Sequence, residues 1–121
     1  MSIFLSFPNE RVLYKGDYFF IVYDGFPVSD GHCLIISNHV KETYFDLSEK
    51  EKIELHSMIS KAKEIIEQSR QPDGYNIGMN CGVSAGQTVM HFHCHVIPRY
   101  AGDMEDPKGG VRGVIPGKRS Y

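Results

Sequence analysis

Hydrophobic and polar positions follow one period in the first third of this chain, another in the middle, and return to the first near the end. Val12 to Tyr14 and Tyr18 to Tyr23 are aromatic and β-branched runs parted by Lys15-Gly16-Asp17, which predicts two strands and a turn. Asp24 to Gly31 holds two Gly and one Pro and reads as a loop. Cys33 to Ile36 is a short apolar run that predicts a central strand and completes an antiparallel meander. At Ser48-Glu49-Lys50-Glu51 the pattern changes, because a Ser with Glu three residues on is a capping box. Leu55, Met58, Ile59, Ala62, Ile65 and Ile66 then fall on one helical stripe, with Glu54, Ser57, Lys61 and Glu64 on the other side. This long helix is predicted to end near Ser69, before Pro72-Asp73-Gly74. Tyr75 to Met79 predicts a fourth strand, Asn80 to Gln87 a Gly-rich loop, and Thr88 or Val89 to Ile97 a fifth strand. Beyond a domain of residues 1–100, residues 101–121 form a Gly- and Pro-rich tail that is either mobile or folded over a partner or ligand.

The order β-β-β-α-β-β implies an α+β domain, a five-stranded antiparallel sheet with one long helix on one face. That arrangement gives the fifth strand its interest. His91, His93 and His95 stand at alternate positions, so a strand puts all three imidazoles on the face the helix leaves open. Phe92, Cys94 and Val96 then point toward the core.

Composition narrows the setting. The 121 residues suit one domain, and 41% hydrophobic residues suffice for a core without staples. A net charge of -2 argues against broad nucleic-acid binding. Cys33, Cys81 and Cys94 form no CxxC pair, which fits reduced thiols in a cytoplasmic protein. The start, Met1-Ser2-Ile3-Phe4-Leu5, lacks the features of a signal peptide, and no run approaches the ~18 apolar residues of a membrane span, so no membrane partner is expected.

Three readings of the histidines follow from chemistry. They are satisfied structural residues; or they hold a metal; or they act at phosphorus. Alternate strand residues lie about 6.6 Å apart, so three in a row fit one ion less readily than two plus a distant third. No Cys pair or acidic ligand stands in the same segment, and no metal ligand set is assigned. A neutral imidazole is a good nucleophile and, once phosphorylated, a good leaving group. It needs one nitrogen free and the other protonated, a state that a carbonyl or a second His can impose. A neighbouring His, with Gln87 and Thr88, can assist the departing group and bind phosphate oxygens.

His91-Phe92-His93-Cys94-His95-Val96-Ile97 resembles the signature of the histidine-triad (HIT) superfamily, His-φ-His-φ-His-φ-φ, with φ apolar. Asn80 to Arg99 resembles that family's Asn-loop-Gly-Gln-(Ser/Thr)-Val-x-His block, and Asp24 to Ile36 with His39-Val40 resembles its upstream block. The resemblance spans roughly residues 3 to 100. It implies a HIT-like fold that dimerises into a continuous sheet. It implies attack by His93 on the α-phosphorus of a purine nucleotide, and release of a nucleoside monophosphate such as AMP from a nucleotidyl-histidine. His95 would contact the phosphate and leaving group, and His91 and His32 would complete the network that orients His93. Gln87 and Thr88 would bind phosphate or the leaving group, Gly86 would belong to the same nucleotide-binding set, Asn80 would lie near ribose and phosphate, and Asp24 would accept the ribose hydroxyls. Val22, Tyr23 and Phe4 or Phe7 would line the base pocket. His32 and Asp24 also read as a strand and a turn residue, and Phe4 and Phe7 as core.

Retention of His95, where the family's nucleotidyltransferases carry Gln, favours hydrolysis. The absence of Trp, and so of a Trp-Pro-Pro-Gly ending, favours dinucleoside polyphosphates over adenosine phosphoramidates. A nucleotide-binding regulator with slow turnover is the alternative from another class. Lys108, Arg112, Lys118 and Arg119 of the tail read either as contacts for distal phosphates or as solvated loop. No cofactor is required by the sequence, and any Mg²⁺ is expected to accompany the substrate phosphates.

Overall fold

The computed structural model describes residues 2–121. Five strands, β1 (Val12–Lys15), β2 (Phe19–Tyr23), β3 (Cys33–Ser37), β4 (Gly74–Gly78) and β5 (His93–Arg99), form one sheet in the order β1-β2-β3-β5-β4. Every neighbouring pair is antiparallel. One long helix, α1 (Glu49–Glu67), covers one face. The α+β architecture is therefore as the residue pattern predicts.

Helix α1 begins where its capping box dictates. Ser48 Oγ accepts the Glu51 amide, and the Glu51 carboxylate accepts the Ser48 amide in return. Leu55, Met58, Ala62 and Ile66 are buried from the predicted stripe, against Phe19, Ile21, Cys33, Ile35, Cys94 and Val96 of the sheet. Glu54 is on the outer side by pattern, yet it closes the β1–β2 turn: its carboxylate accepts the amides of Asp17, Tyr18 and Phe19 at 3.1, 2.7 and 3.0 Å. Gly16 permits this approach, because a Cβ there would lie 2.4 Å from Met58 Cε.

The open face carries a smaller apolar cluster of Phe4, Phe20, Val22, Leu34 and Ile36, partly roofed by the N-terminal segment. Strand β5 is shorter than expected and starts at His93, not at Thr88 or Val89. The reason lies in Gln87. Its carboxamide accepts the Gly82 amide and donates to the carbonyls of Glu42 and Val89, which holds residues 82–89 in a closed loop. Extended pairing begins only after the chain has left that loop. The tail folds into short 3-10 turns, Gly110–Val114 and Pro116–Lys118, beside β4.

Candidate active site

Strand alternation does the first positioning. On β5, Cys94 and Val96 enter the core, while His93 and His95 face the open side opposite Ile36 and Leu34 of β3. The two imidazole centroids are 5.3 Å apart. His91 departs from expectation. It precedes the strand in a bend, and its ring is wholly buried rather than displayed with the other two.

The hydrogen bonds determine which nitrogen carries each proton. A carbonyl only accepts, so His93 Nδ1–H donates to the His91 carbonyl at 2.8 Å. The lone pair of His93 is thereby left on Nε2, which has no protein hydrogen-bond partner among the described residues. The Phe4 ring packs edge-on at 4.9 Å and limits how that ring can turn. His91 thus orients His93 through its backbone, not through its imidazole. The His91 imidazole donates from Nε2 to the Ser37 carbonyl at 2.7 Å and accepts the Ser2 hydroxyl at Nδ1, at 2.8 Å.

A second chain of donors runs to His95. The Val28 amide donates to His32 Nδ1 at 3.0 Å, so the His32 proton sits on Nε2. That proton is 2.9 Å, between heavy atoms, from His95 Nδ1, which accepts it. The remaining proton of His95 is therefore on its own Nε2. Asp24 Oδ2 lies 3.5 Å from His32 Nε2, and Asp24 Oδ1 accepts the Phe26 amide at 2.8 Å. Asp24 is both a turn residue and a member of the network. Burial lowers the His95 pKa to about 4, helped by the neighbouring His32 and His93 and opposed by Asp24. Burial also lowers His32, again opposed by Asp24, and lowers His91 against the pull of the Ser37 carbonyl. All three rings are neutral at pH 7.

Asp24, His32 and His95 bring one potential ligand atom each within 4.8 Å of the others. The donor set does not suit a metal as folded. A histidine that ligates through Nε2 carries its proton on Nδ1, and at His32 that proton would meet the Val28 N–H. The cluster is built to pass hydrogen bonds.

The remaining site residues divide. Gly86 has φ +96°, a left-handed conformation that favours glycine, and a Cβ there would stand 4.0 Å from Asn80 Nδ2. Asn80 and Thr88 are exposed, and Asn80 lines the same cleft as His95. Gln87 corrects the expectation of a phosphate donor: it is buried and both of its N–H groups are spent on Glu42 and Val89. Val22 is buried in the floor of the open face. Tyr23 is a second correction. Alternation places it on the helix face, where its hydroxyl accepts from Arg70 at 3.1 Å, away from the histidines.

Sequence reasoning missed Ser2, Val28 and Ser37, which supply the hydroxyl, amide and carbonyl that set the tautomers. No local pattern marks them. Leu34 and Ile36 were within reach, since alternation pairs them with His95 and His93.

The HIT domain family matches residues 8–102. The chain belongs to the HIT domain family. Among its relatives, the AP-4-A phosphorylase of Mycobacterium tuberculosis (strain CDC 1551 / Oshkosh) is 33% identical over 100 residues, covering 82% of this chain and 51% of that protein. The bis(5'-nucleosyl)-tetraphosphatase [asymmetrical] of Schizosaccharomyces pombe is 36% identical over 80 residues, 66% of this chain and 44% of that protein. The HIT chain thus spans about half the length of these relatives. The crystal structure of a HIT family member from Bacillus subtilis superposes with a TM-score of 0.76 at 27% identity, covering 84% of this chain and 75% of that one. No helix among the described residues is long and apolar enough to cross a membrane.

Proposed function

We propose that this HIT protein is a nucleotide hydrolase that cleaves dinucleoside polyphosphates at the α-phosphate and releases a nucleoside monophosphate. A pair of nitrogens carries the reading: His93 Nε2 offers a lone pair, and His95 Nε2 offers a proton for hydrogen bonding, on one face of one strand. In the first step His93 Nε2 attacks the α-phosphorus. A P–N bond forms, the P–O bond to the polyphosphate breaks, and its electron pair leaves with the oxygen. The ring becomes a cation, which the His91 carbonyl stabilises through Nδ1–H. Water then attacks phosphorus, the P–N electron pair returns to Nε2, and the proton from water passes to solvent.

The neutral state of His95 bears on the substrate. With its pKa near 4 it supplies a hydrogen bond to the leaving oxygen, not a readily transferred proton. A polyphosphate departs as an anion and needs no more, whereas an amine released from a phosphoramidate must be protonated. Two relatives named for dinucleoside tetraphosphate chemistry point the same way. Asp24 has acceptor capacity for ribose hydroxyls, the Phe4, Val22 and Leu34 cluster is the floor for a base, and the loop at Gly86 and Thr88 receives phosphate. Strand β4 ends the sheet, and its outer edge is where a second copy would pair in the homodimer that the HIT resemblance implies.

The test is AMP release from diadenosine tri- and tetraphosphate and from an adenosine phosphoramidate, with His93→Ala as control. Preferential cleavage of a dinucleotide, lost in the variant, is expected. Preference for the phosphoramidate would reverse the substrate assignment, and full activity in the variant would end the mechanism. Running the assay with and without inorganic phosphate separates hydrolysis from phosphorolysis, since phosphate as acceptor yields ADP instead of AMP.

A further inference from the structure

We propose that the C-terminal tail builds the leaving-group half of the site, with Arg119 as the residue that receives its negative charge; this rests on the hydrolase reading above. A cleft of about 790 Å³ lies between the tail and the open face of β4 and β5. That is within the range of roughly 300–1,000 Å³ usual for small-molecule sites. His95 and Asn80 belong to its lining, so the cleft opens directly onto the histidine strand.

Two arginines, Arg99 and Arg119, also line it, and they differ. Arg99 is neutralised: it donates to both oxygens of Asp103 at 2.8 Å and to Asn76 at 2.7 Å. Arg119 is half-buried and forms no ion pair with any described carboxylate. The fold gives it a seat. A Cβ on Gly109 would collide with the Arg119 carbonyl oxygen and lie 2.7 Å from its Cγ, whereas a Cβ on Gly113 would make only ordinary contact, 3.8 Å from its Cδ. Gly109 thus lets the Arg119 stem lie across the tail where the residue lines the cleft. The other tail cations are placed elsewhere: Arg112 stacks on Tyr121 at 4.8 Å, and Lys108 and Lys118 are exposed outside the lining.

The walls identify the rest of the occupant. Val28, Val111 and Val114 line the cleft yet are 70%, 65% and 77% exposed, and Met104 stands among them. An unneutralised cation amid exposed apolar side chains fits an anion that carries a large planar or apolar part. The second nucleotide of a dinucleoside polyphosphate has that chemistry. A small amine leaving group has neither the charge nor the surface.

The test is titration calorimetry of ATP into the full chain saturated with AMP, for the wild type, Arg119→Ala, Arg119→Lys and Gly109→Ala. The wild type should bind ATP beside AMP. Arg119→Ala should weaken ATP by about 10- to 100-fold, Arg119→Lys by less because it keeps charge without the planar fork, and Gly109→Ala should resemble Arg119→Ala. AMP affinity within about twofold of wild type verifies that each variant is folded. The ratio of kcat/KM for diadenosine tetraphosphate over the phosphoramidate should fall by the same factor as ATP affinity. Strict competition between ATP and AMP in the wild type, or equal ATP affinity in Arg119→Ala, would overturn the assignment. Arg119-dependent ATP binding without His93-dependent AMP release would instead sink the hydrolase reading, and the leaving-group role with it.

Discussion

Cys94 and His95 are adjacent in the chain, and burial acts on both in opposite directions. It pushes the Cys94 thiol up to about 12 and the His95 imidazole down to about 4. The cause is the same: a low-dielectric surrounding disfavours whichever form is charged. For a thiol the charged form is the nucleophile, so burial makes Cys94 inert. For an imidazole the neutral form keeps one lone pair and one N–H, so burial leaves His95 able to accept the His32 proton at Nδ1 and still donate from Nε2. One strand therefore carries a passive core on its helix face and a reactive surface on its open face, with no change in backbone. The difference arises from residue type at each parity of the strand.

The widest separation of the two faces is kinetic. His93→Ala should lower AMP release by at least ~10³-fold while leaving the melting temperature nearly unchanged, and Cys94→Ala should do the reverse. Activity assays paired with thermal melts check this; comparable activity loss in both variants would erase the distinction. Next in size is packing. Val96→Ala, on the helix face, should cost about 2 kcal/mol of stability, whereas Ile97→Ala, half-buried on the open face, should cost about half as much. Equal unfolding midpoints would mean that the open face is packed as tightly as the core.

Acid gives a smaller effect with a definite sign. His32, His91 and His95 have pKa values lowered from 6.5 in the folded state, so the unfolded chain binds more protons below that pH. Their contribution is fully present above about pH 6.5 and is lost as pH falls through the folded values, near 4 for His95. Thermal melts should lose several degrees between about pH 7 and about pH 5, and His95→Gln should flatten part of that loss. A level Tm across this window would contradict the burial of these rings. The smallest effect concerns the thiols. At about pH 8 iodoacetamide should label half-exposed Cys81 first, while Cys33 and Cys94 react only after unfolding, as mass spectrometry would show.

What was legible in the sequence depended on the range of the interaction. The α1 capping box and stripe are local, and they place its start at Ser48 and its buried face correctly. Strand parity is local too, and it separates His93 and His95 from Cys94 and Val96. Applied consistently, the same parity would have removed Tyr23 from the base pocket. The start of β5 was not legible, because Gln87 closes its loop on Glu42, far away in the chain. The tail read as loop from its Gly and Pro content, but nothing local singled out Arg119 from its three cationic neighbours.

The sequence by itself determined an α+β meander with a helix on one face and histidines on the other, since residue period alone sets which face each side chain takes. Only the tertiary structure decided what those histidines are. The free lone pair of His93 depends on the His91 carbonyl, and the outward proton of His95 depends on a relay that starts at the Val28 amide. Each ring nitrogen takes its state from the partner that reaches it, and most of those partners come from distant segments that no spacing rule brings together.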